Sequence, residues 1–306
     1  MSALPLFNFP VSPCQRLESR FFAGLEVWIK RDDLLHQQVS GNKFRKLKYP
    51  LQALAGRSPC LVTMGGPWSN HLHATAHAAA LLGWRAIGLV RGAPEVQSAT
   101  LDDCRQLGMH IVCVTREEYR QLRQPDDRWR QHLPAPYFAG ADYVWLPEGG
   151  SSAAALHGVA ELVDEAIDQI RFIPDSIVLA CGTGATLAGV LAGLRGRSQA
   201  VGIAVLKNAD YLYADISRLL QQASYPAHTN YQLLTDYHQG GYGKAPPALR
   251  QFCSEFSQET GIAIEPVYTG KVFYALMQMA QSGEWRGGRR VLVLHTGGLQ
   301  GARGFA

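Results

Sequence analysis

The chain predicts an α/β architecture of two domains, each a parallel sheet covered by helices, on three observations. Short continuous apolar runs alternate with helical patterns along most of its 306 residues. Those runs lack the in/out alternation of a half-exposed strand, so they are buried on both faces, as strands of parallel sheets are. The turns that follow several of them are rich in glycine and small polar residues, and Gly (31) and Pro (16) are generous for a helical bundle.

In chain order, VWIKRDDLL (27–35) reads as a strand ending in four charges and belongs apart from the series that follows. LVTMGG, the helix 70–82, RAIGLVRG, the helix 96–107 and HIVCVT form a βαβαβ series. The helix 151–170, SIVLACG, the helix 185–194 and AVGIAVL form a second, and RRVLVLHTGG adds a late strand. The expected organisation is a small domain (46–153) inserted in a larger one (1–45 and 154–306).

Composition narrows the function classes. A hydrophobic fraction of 47% supports a full core, and a formal charge of +4 without a basic face argues against nucleic acid. The mixed-charge stretch from Arg116 to Arg130 reads as a solvated helix face. Six scattered cysteines show neither a disulfide framework nor metal spacing, and no apolar run reaches membrane length, so a soluble, reducing, cytoplasmic setting without a membrane partner is expected.

Three segments carry polar chemistry. CGTGAT (181–186) closes a strand and opens a helix, so backbone amides and the Thr183 and Thr186 hydroxyls would meet an anion such as a phosphate monoester. A dinucleotide fingerprint fails there, because Leu187 stands where a third small residue belongs. SGNKFRKLKY (40–49) sets Lys43 at a helix start near Arg45 and Lys46, surroundings that favour a neutral, nucleophilic amine; the plain alternative is a solvated lysine. GGPWSNHLHATAH (65–77) offers Ser69, Asn70 and His71 at another helix start as a carboxylate grip. His73 and His77 share a helical face but lack the further ligands of a metal site, and Ser69 is not in the elbow of a serine hydrolase.

With KRDDL (30–34), GNKFRKL (41–47), GGxxSNH (65–71), CGTGAT, GGYG (240–243), VYTGK (267–271) and HTGG (295–298) in this order, the chain resembles the aminocyclopropane carboxylate deaminase and D-cysteine desulfhydrase family. That family belongs to the fold type II pyridoxal phosphate enzymes. The resemblance implies two open twisted sheets with helices on both faces and pyridoxal phosphate in the interdomain cleft. It implies a Schiff base on Lys43, Asn42 beside the phenolic oxygen, and phosphate held by Lys46, Thr183, Gly184, Ala185 and Thr186. It further implies a carboxylate grip by Ser69, Asn70 and His71, with Ser69 also a catalytic residue beside the substrate's reacting carbons, active-site tyrosines at Tyr242 and Tyr268, and ring contacts at Thr269 and Thr296.

The implied reaction is α-proton removal and loss of a β-thiol from a small amino acid, with D-cysteine giving pyruvate, ammonia and sulfide. Ring opening of aminocyclopropane carboxylate, racemisation or dehydration of serine-like amino acids, and cofactor binding without turnover are the alternatives. A homodimer is implied. Pro67 and Trp68 depart from the family pattern, which more often has Gln before the serine, and this reshapes the expected pocket.

Overall fold

The computed structural model describes residues 4–124, 126–133 and 142–305. Two sheets organise the chain. The larger contains β1 (Cys14–Leu17), β2 (Glu26–Lys30), β7 (Ser176–Cys181), β8 (Gln199–Ala204), β9 (Tyr231–Leu234) and β10 (Arg290–Leu294), in the order β1-β2-β10-β7-β8-β9. Every neighbouring pair in it is parallel except the edge strand β1, which runs antiparallel to β2. The smaller sheet is wholly parallel: β3 (Cys60–Gly65), β4 (Arg85–Arg91), β5 (Met109–Val114) and β6 (Tyr143–Leu146), ordered β5-β4-β3-β6. The strand expected at 27–35 is β2, which ends at Lys30 and joins the large sheet apart from the series that follows it, while Asp32–Leu34 form a short 3-10 helix.

Burial on both faces explains why β3 and β7 read as continuous apolar runs. Along β7, Ile177 and Leu179 face one core with α5 (Ala153–Ile170), α6 (Ala185–Leu194) and α7 (Tyr211–Gln222). Val178 and Ala180 face the other, with α8 (Pro247–Thr260) and α9 (Thr269–Ser282). In the small sheet Leu61, Ala86 and Val90 pack with α2 (Asn70–Leu82) and α3 (Ala99–Gln106). Val62 and Leu89 pack on the opposite face with Tyr119 and Trp129.

The helix α1 (Asn42–Gln52) runs across the boundary expected at 45/46 and lies along α5. A close approach fixes this contact, for a Cβ on Gly158 would stand 2.1 Å from the Arg45 carbonyl oxygen. No helix among the described residues is long and apolar enough to cross a membrane.

Candidate active site in the cleft between the sheets

A cavity of about 840 Å³ opens where β3, β7 and β10 end, the carboxyl edge at which parallel sheets bind ligands. Its walls bring together Asn42, Lys43, Lys46, Ser69, Asn70, His71, Thr183, Gly184, Thr186, Tyr242, Tyr268 and Thr296, gathered from six separate stretches of chain.

Lys43 stands in the first turn of α1, whose start is pressed against the loop after β10. Gly41 (φ +64°) permits this approach, since a Cβ there would lie 1.9 Å from the Thr296 carbonyl oxygen, and that same oxygen accepts from the Asn42 N–H at 3.2 Å. The Lys43 ammonium donates to Asn42 Oδ1 at 3.3 Å, while Asn42 Nδ2 donates to Thr186 Oγ1 at 2.9 Å. Burial lowers the Lys43 amine to about 8. A neutral amine is the form that attacks an aldehyde, so if Lys43 carries the Schiff base the resemblance implies, the rate at which apoprotein takes up the aldehyde cofactor is expected to rise nearly tenfold per pH unit up to about 8 and then level off. A flat profile from pH 6 to 9 contradicts this.

Arg45 does not contribute to that shift. It turns into a buried network, donating to Asp32 at 2.6 and 2.8 Å and to Glu165 at 3.0 and 2.7 Å, and Lys30 joins Glu165 at 3.0 Å. With its charge matched there, it leaves Lys43 to desolvation. KRDDL is therefore largely the scaffold beneath α1.

The second amine on the cavity side, Lys46, is fully buried and donates to the Gly149 carbonyl at 3.1 Å. Burial, and then the neighbouring Lys43, push it well below its ordinary value. An anion would restore its charge. The start of α6 faces the same space: Gly184 is its N-cap at φ +78°, and Thr183 Oγ1 accepts from Ser151 Oγ at 2.7 Å. The first amides of a helix have no intrahelical acceptor, so this corner could hold an anion such as a phosphate. Ala185 contributes to it through backbone position alone, since its side chain is buried in the core and absent from the cavity wall.

At the start of α2, Ser69 caps the helix by accepting from the Leu72 N–H at 3.2 Å. Asn70 accepts from Gln300 Nε2 at 2.8 Å. His71 is 1% exposed with neither ring nitrogen partnered among the described residues, and burial followed by Lys43 and Lys46 holds its pKa well below the ordinary range. A buried neutral imidazole facing the cavity without a partner is a site awaiting one.

Tyr268 donates to Tyr242 at 3.4 Å, the rings 6.0 Å apart and edge to face. Tyr242 is 41% exposed because it borders the open cleft.

Thr269 is placed differently from the expectation. It is fully buried behind Tyr268, outside the cavity wall, and its hydroxyl bonds Glu265 Oε1 at 3.2 Å. Glu265 also accepts from the N–H groups of Val267, Tyr268 and Thr269 at 2.7 to 2.9 Å, and burial raises it to about 7 despite those bonds. Beside it Lys271, fully buried, donates to the Gly241 carbonyl at 2.8 Å and so ties the Tyr242 loop to the helix that follows Tyr268. Sequence reasoning passed over both residues. The available signal was an acid just ahead of a helix start, which required recognising α9.

The stretch 116–130 is also more than a solvated face. In it Tyr119 donates to Glu148 at 2.6 Å, Arg123 donates to Glu148 at 2.7 Å, and both reach the cavity. His73 is 3.3 Å from Asp103, and no group of three or more metal-ligating side chains is assembled among the described residues.

A lysine with a lowered pKa, an anion corner and an unpartnered imidazole on one cavity suit a phosphate-bearing aldehyde. The family model described as "Pyridoxal-phosphate dependent enzyme" matches residues 5–297. The chain belongs to this family. Among pyridoxal-phosphate dependent enzymes it is 34% identical to a putative 1-aminocyclopropane-1-carboxylate deaminase of Pyrococcus horikoshii, over 91% of this chain and 86% of that one. It is 29% identical to the bifunctional D-cysteine desulfhydrase/1-aminocyclopropane-1-carboxylate deaminase of Arabidopsis thaliana, over 91% and 73%. The solved structure of an ACC deaminase homologue superposes with a TM-score of 0.83 at 32% identity, covering 98% of this chain and 92% of that one. The fold is that of fold type II, and the cofactor is pyridoxal phosphate.

Gly184 offers a direct test of the anion corner. A side chain there must adopt a left-handed backbone, and its Cβ would meet Ile216 at 3.0 Å. Gly184→Leu is expected to weaken cofactor retention by roughly tenfold, the conformational cost alone reaching ~1–2 kcal/mol. Absorbance near 410 nm after dialysis measures it; full retention would reduce the turn to a packing feature.

Proposed function

We propose that the protein eliminates the β-thiol of D-cysteine, yielding pyruvate, ammonia and hydrogen sulfide. The observation that carries this choice is the neutral hydroxyl of Thr296 on the cavity wall, on the loop after β10, a position where the family resemblance implies Thr in the desulfhydrases and Leu in the deaminases. The other neutral hydroxyl, Thr269, is withdrawn onto Glu265, so neither loop offers the ring nitrogen a carboxylate. Bound pyridoxal phosphate supplies an electron sink for the α-carbon. A sink without a carboxylate partner is weaker, which suits departure of a good leaving group better than ring opening.

The side chains divide the work. Lys46, Thr183, Gly184 and Thr186 with the amide of Ala185 would hold the phosphate, and Asn42 would hold the phenolic oxygen. Ser69 retains a hydroxyl proton to donate, and with Asn70 and His71 it would orient the substrate carboxylate. Lys43, neutral near pH 8, would take the α-proton and remain poised to return one. Tyr242 and Tyr268 close the substrate side, where their hydroxyls can pass a proton toward the departing sulfur.

The test is pyruvate or 2-oxobutanoate release from D-cysteine, L-cysteine, D-serine and aminocyclopropane carboxylate. The expected result is a kcat/KM for D-cysteine at least about 100-fold above that for the cyclopropane, or ~2.7 kcal/mol in transition-state stabilisation. Comparable values would defeat the ring-nitrogen argument, and preference for the cyclopropane would reverse the assignment. Thr296→Leu alone is the informative variant, expected to narrow the ratio. Introducing Glu at 269 would set a second carboxylate against buried Glu265 and unsettle the fold.

A further inference from the structure

A second cavity of about 140 Å³ adjoins the first and shares Asn70, Tyr242 and Tyr268 with it. Its remaining walls are Trp68, Val267, Phe305 and the glycines 243, 301 and 304. At its border the Asn70 carbonyl oxygen accepts from Gln300 and the Tyr268 hydroxyl donates to Tyr242, and the other lining side chains are apolar apart from the indole of Trp68.

The chamber is a product of the residues that depart from the family pattern. The Pro67 carbonyl accepts from Ser98, and the ring of the next residue, Trp68, lies beside Gly304 in the segment Leu299–Phe305. Gly304 lies flat against that ring, so that a Cβ there would stand 3.3 Å from it. The segment itself is clamped to the small sheet's helices by Arg303 on Asp103 at 2.5 Å and by Gln300 on Asn70 at 2.8 Å.

Resting on the elimination reading above, we infer that this chamber receives the leaving group, and that the preferred substrates are S-alkyl or S-aralkyl cysteines. At interior packing density, a space of 140 Å³ accepts roughly 100 Å³ of matter, the size of a butyl or benzyl group. Bare sulfide leaves it empty, and its lining then forgoes contact on one side. The reaction balances as R–S–CH2–CH(NH3+)–COO− plus water giving R–SH, pyruvate and ammonium. The Cβ–S bond breaks with its electron pair going to sulfur, Lys43 takes the α-proton, and sulfur gains a proton as it departs. No redox partner is needed.

The experiment compares holoenzyme and Gly304→Leu, which fills the chamber from the Trp68 side, with Val267→Phe filling it from the other wall. Pyruvate release is followed with D-cysteine, S-methyl-D-cysteine and S-benzyl-D-cysteine. Calorimetry gives Kd for D-homophenylalanine and D-alanine, which carry no leaving group. The expected kcat/KM for the S-benzyl substrate exceeds that for D-cysteine at least about tenfold, within the range that apolar pocket contacts provide. That ratio falls below about two in whichever filled variant folds, and the preference for D-homophenylalanine over D-alanine falls with it. If D-cysteine releases pyruvate but the S-benzyl substrate is no better, the chamber assignment is overturned and the elimination reading stands. If no substrate releases pyruvate, the elimination reading falls. D-homophenylalanine bound at least tenfold more tightly than D-alanine then supports an apolar amino-acid chamber, and equal binding overturns it.

Discussion

Lys43→Ala is expected to yield a folded protein whose pyruvate release falls by at least about 10⁴-fold with every amino acid tried, because one amine serves as both nucleophile and proton base. Lys43 makes one hydrogen bond, to its neighbour Asn42, and burial already works against its charge, so its loss leaves the fold intact. Borohydride reduction should fix cofactor on the parent chain at Lys43 and fix none at 43 in the variant. Substantial pyruvate release by the variant, with normal circular dichroism, would sink the assignment.

The largest effect on stability is expected at Arg45. Arg45→Met leaves Asp32 buried without its cation and half-buried Glu165 with Lys30 alone, and breaking a buried pair from one side costs ~3–5 kcal/mol. The measurement is the denaturant midpoint with the slope unchanged; a loss under about 1 kcal/mol would mean that water compensates the network. The acid limb follows from Glu165, which Arg45 and then Lys30 hold down at about 2 against the opposition of burial. Its folded pKa is depressed, so its contribution is present above its ordinary value near 4.5 and is lost as pH falls toward 2. The parent should therefore lose more stability than Arg45→Met over that window.

The apolar strands were legible because burial on both faces leaves a continuous run, as in LVTM of β3 and SIVLAC of β7. The strand at 231–234 and the edge strand β6 are part-exposed four-residue pieces with no such run. The helices α7 to α9 went unassigned. Site residues at strand-to-helix turns were legible for a related reason, since glycine and small polar residues mark those turns. Contacts made behind the turn were not. Arg45 stands two residues from Lys43, and those two helical steps, about 200° around the axis, turn it from the cleft into the scaffold. Thr269 follows Tyr268 directly and still faces away from the cavity, captured by a carboxylate four residues earlier. Spacing along the chain fixes neither direction, because Arg45 turns toward Asp32 in a different element and Glu165 120 residues on, and Thr269 depends on a helix start that has to be recognised first.

The chain has seven lysines against 22 arginines, and its lysines are mostly hidden. Lys30, Lys46 and Lys271 are fully buried, and Lys48 is held by Glu161 at 2.6 Å. That leaves Lys207 and Lys244 as the exposed amines. Guanidinium groups do not condense with aldehydes, so a surface whose positive charge is arginine offers a carbonyl reagent few decoys. Reconstitution with excess cofactor should then label close to one site per chain, with little background to wash away, and spectrophotometric titration should show a sharp equivalence point.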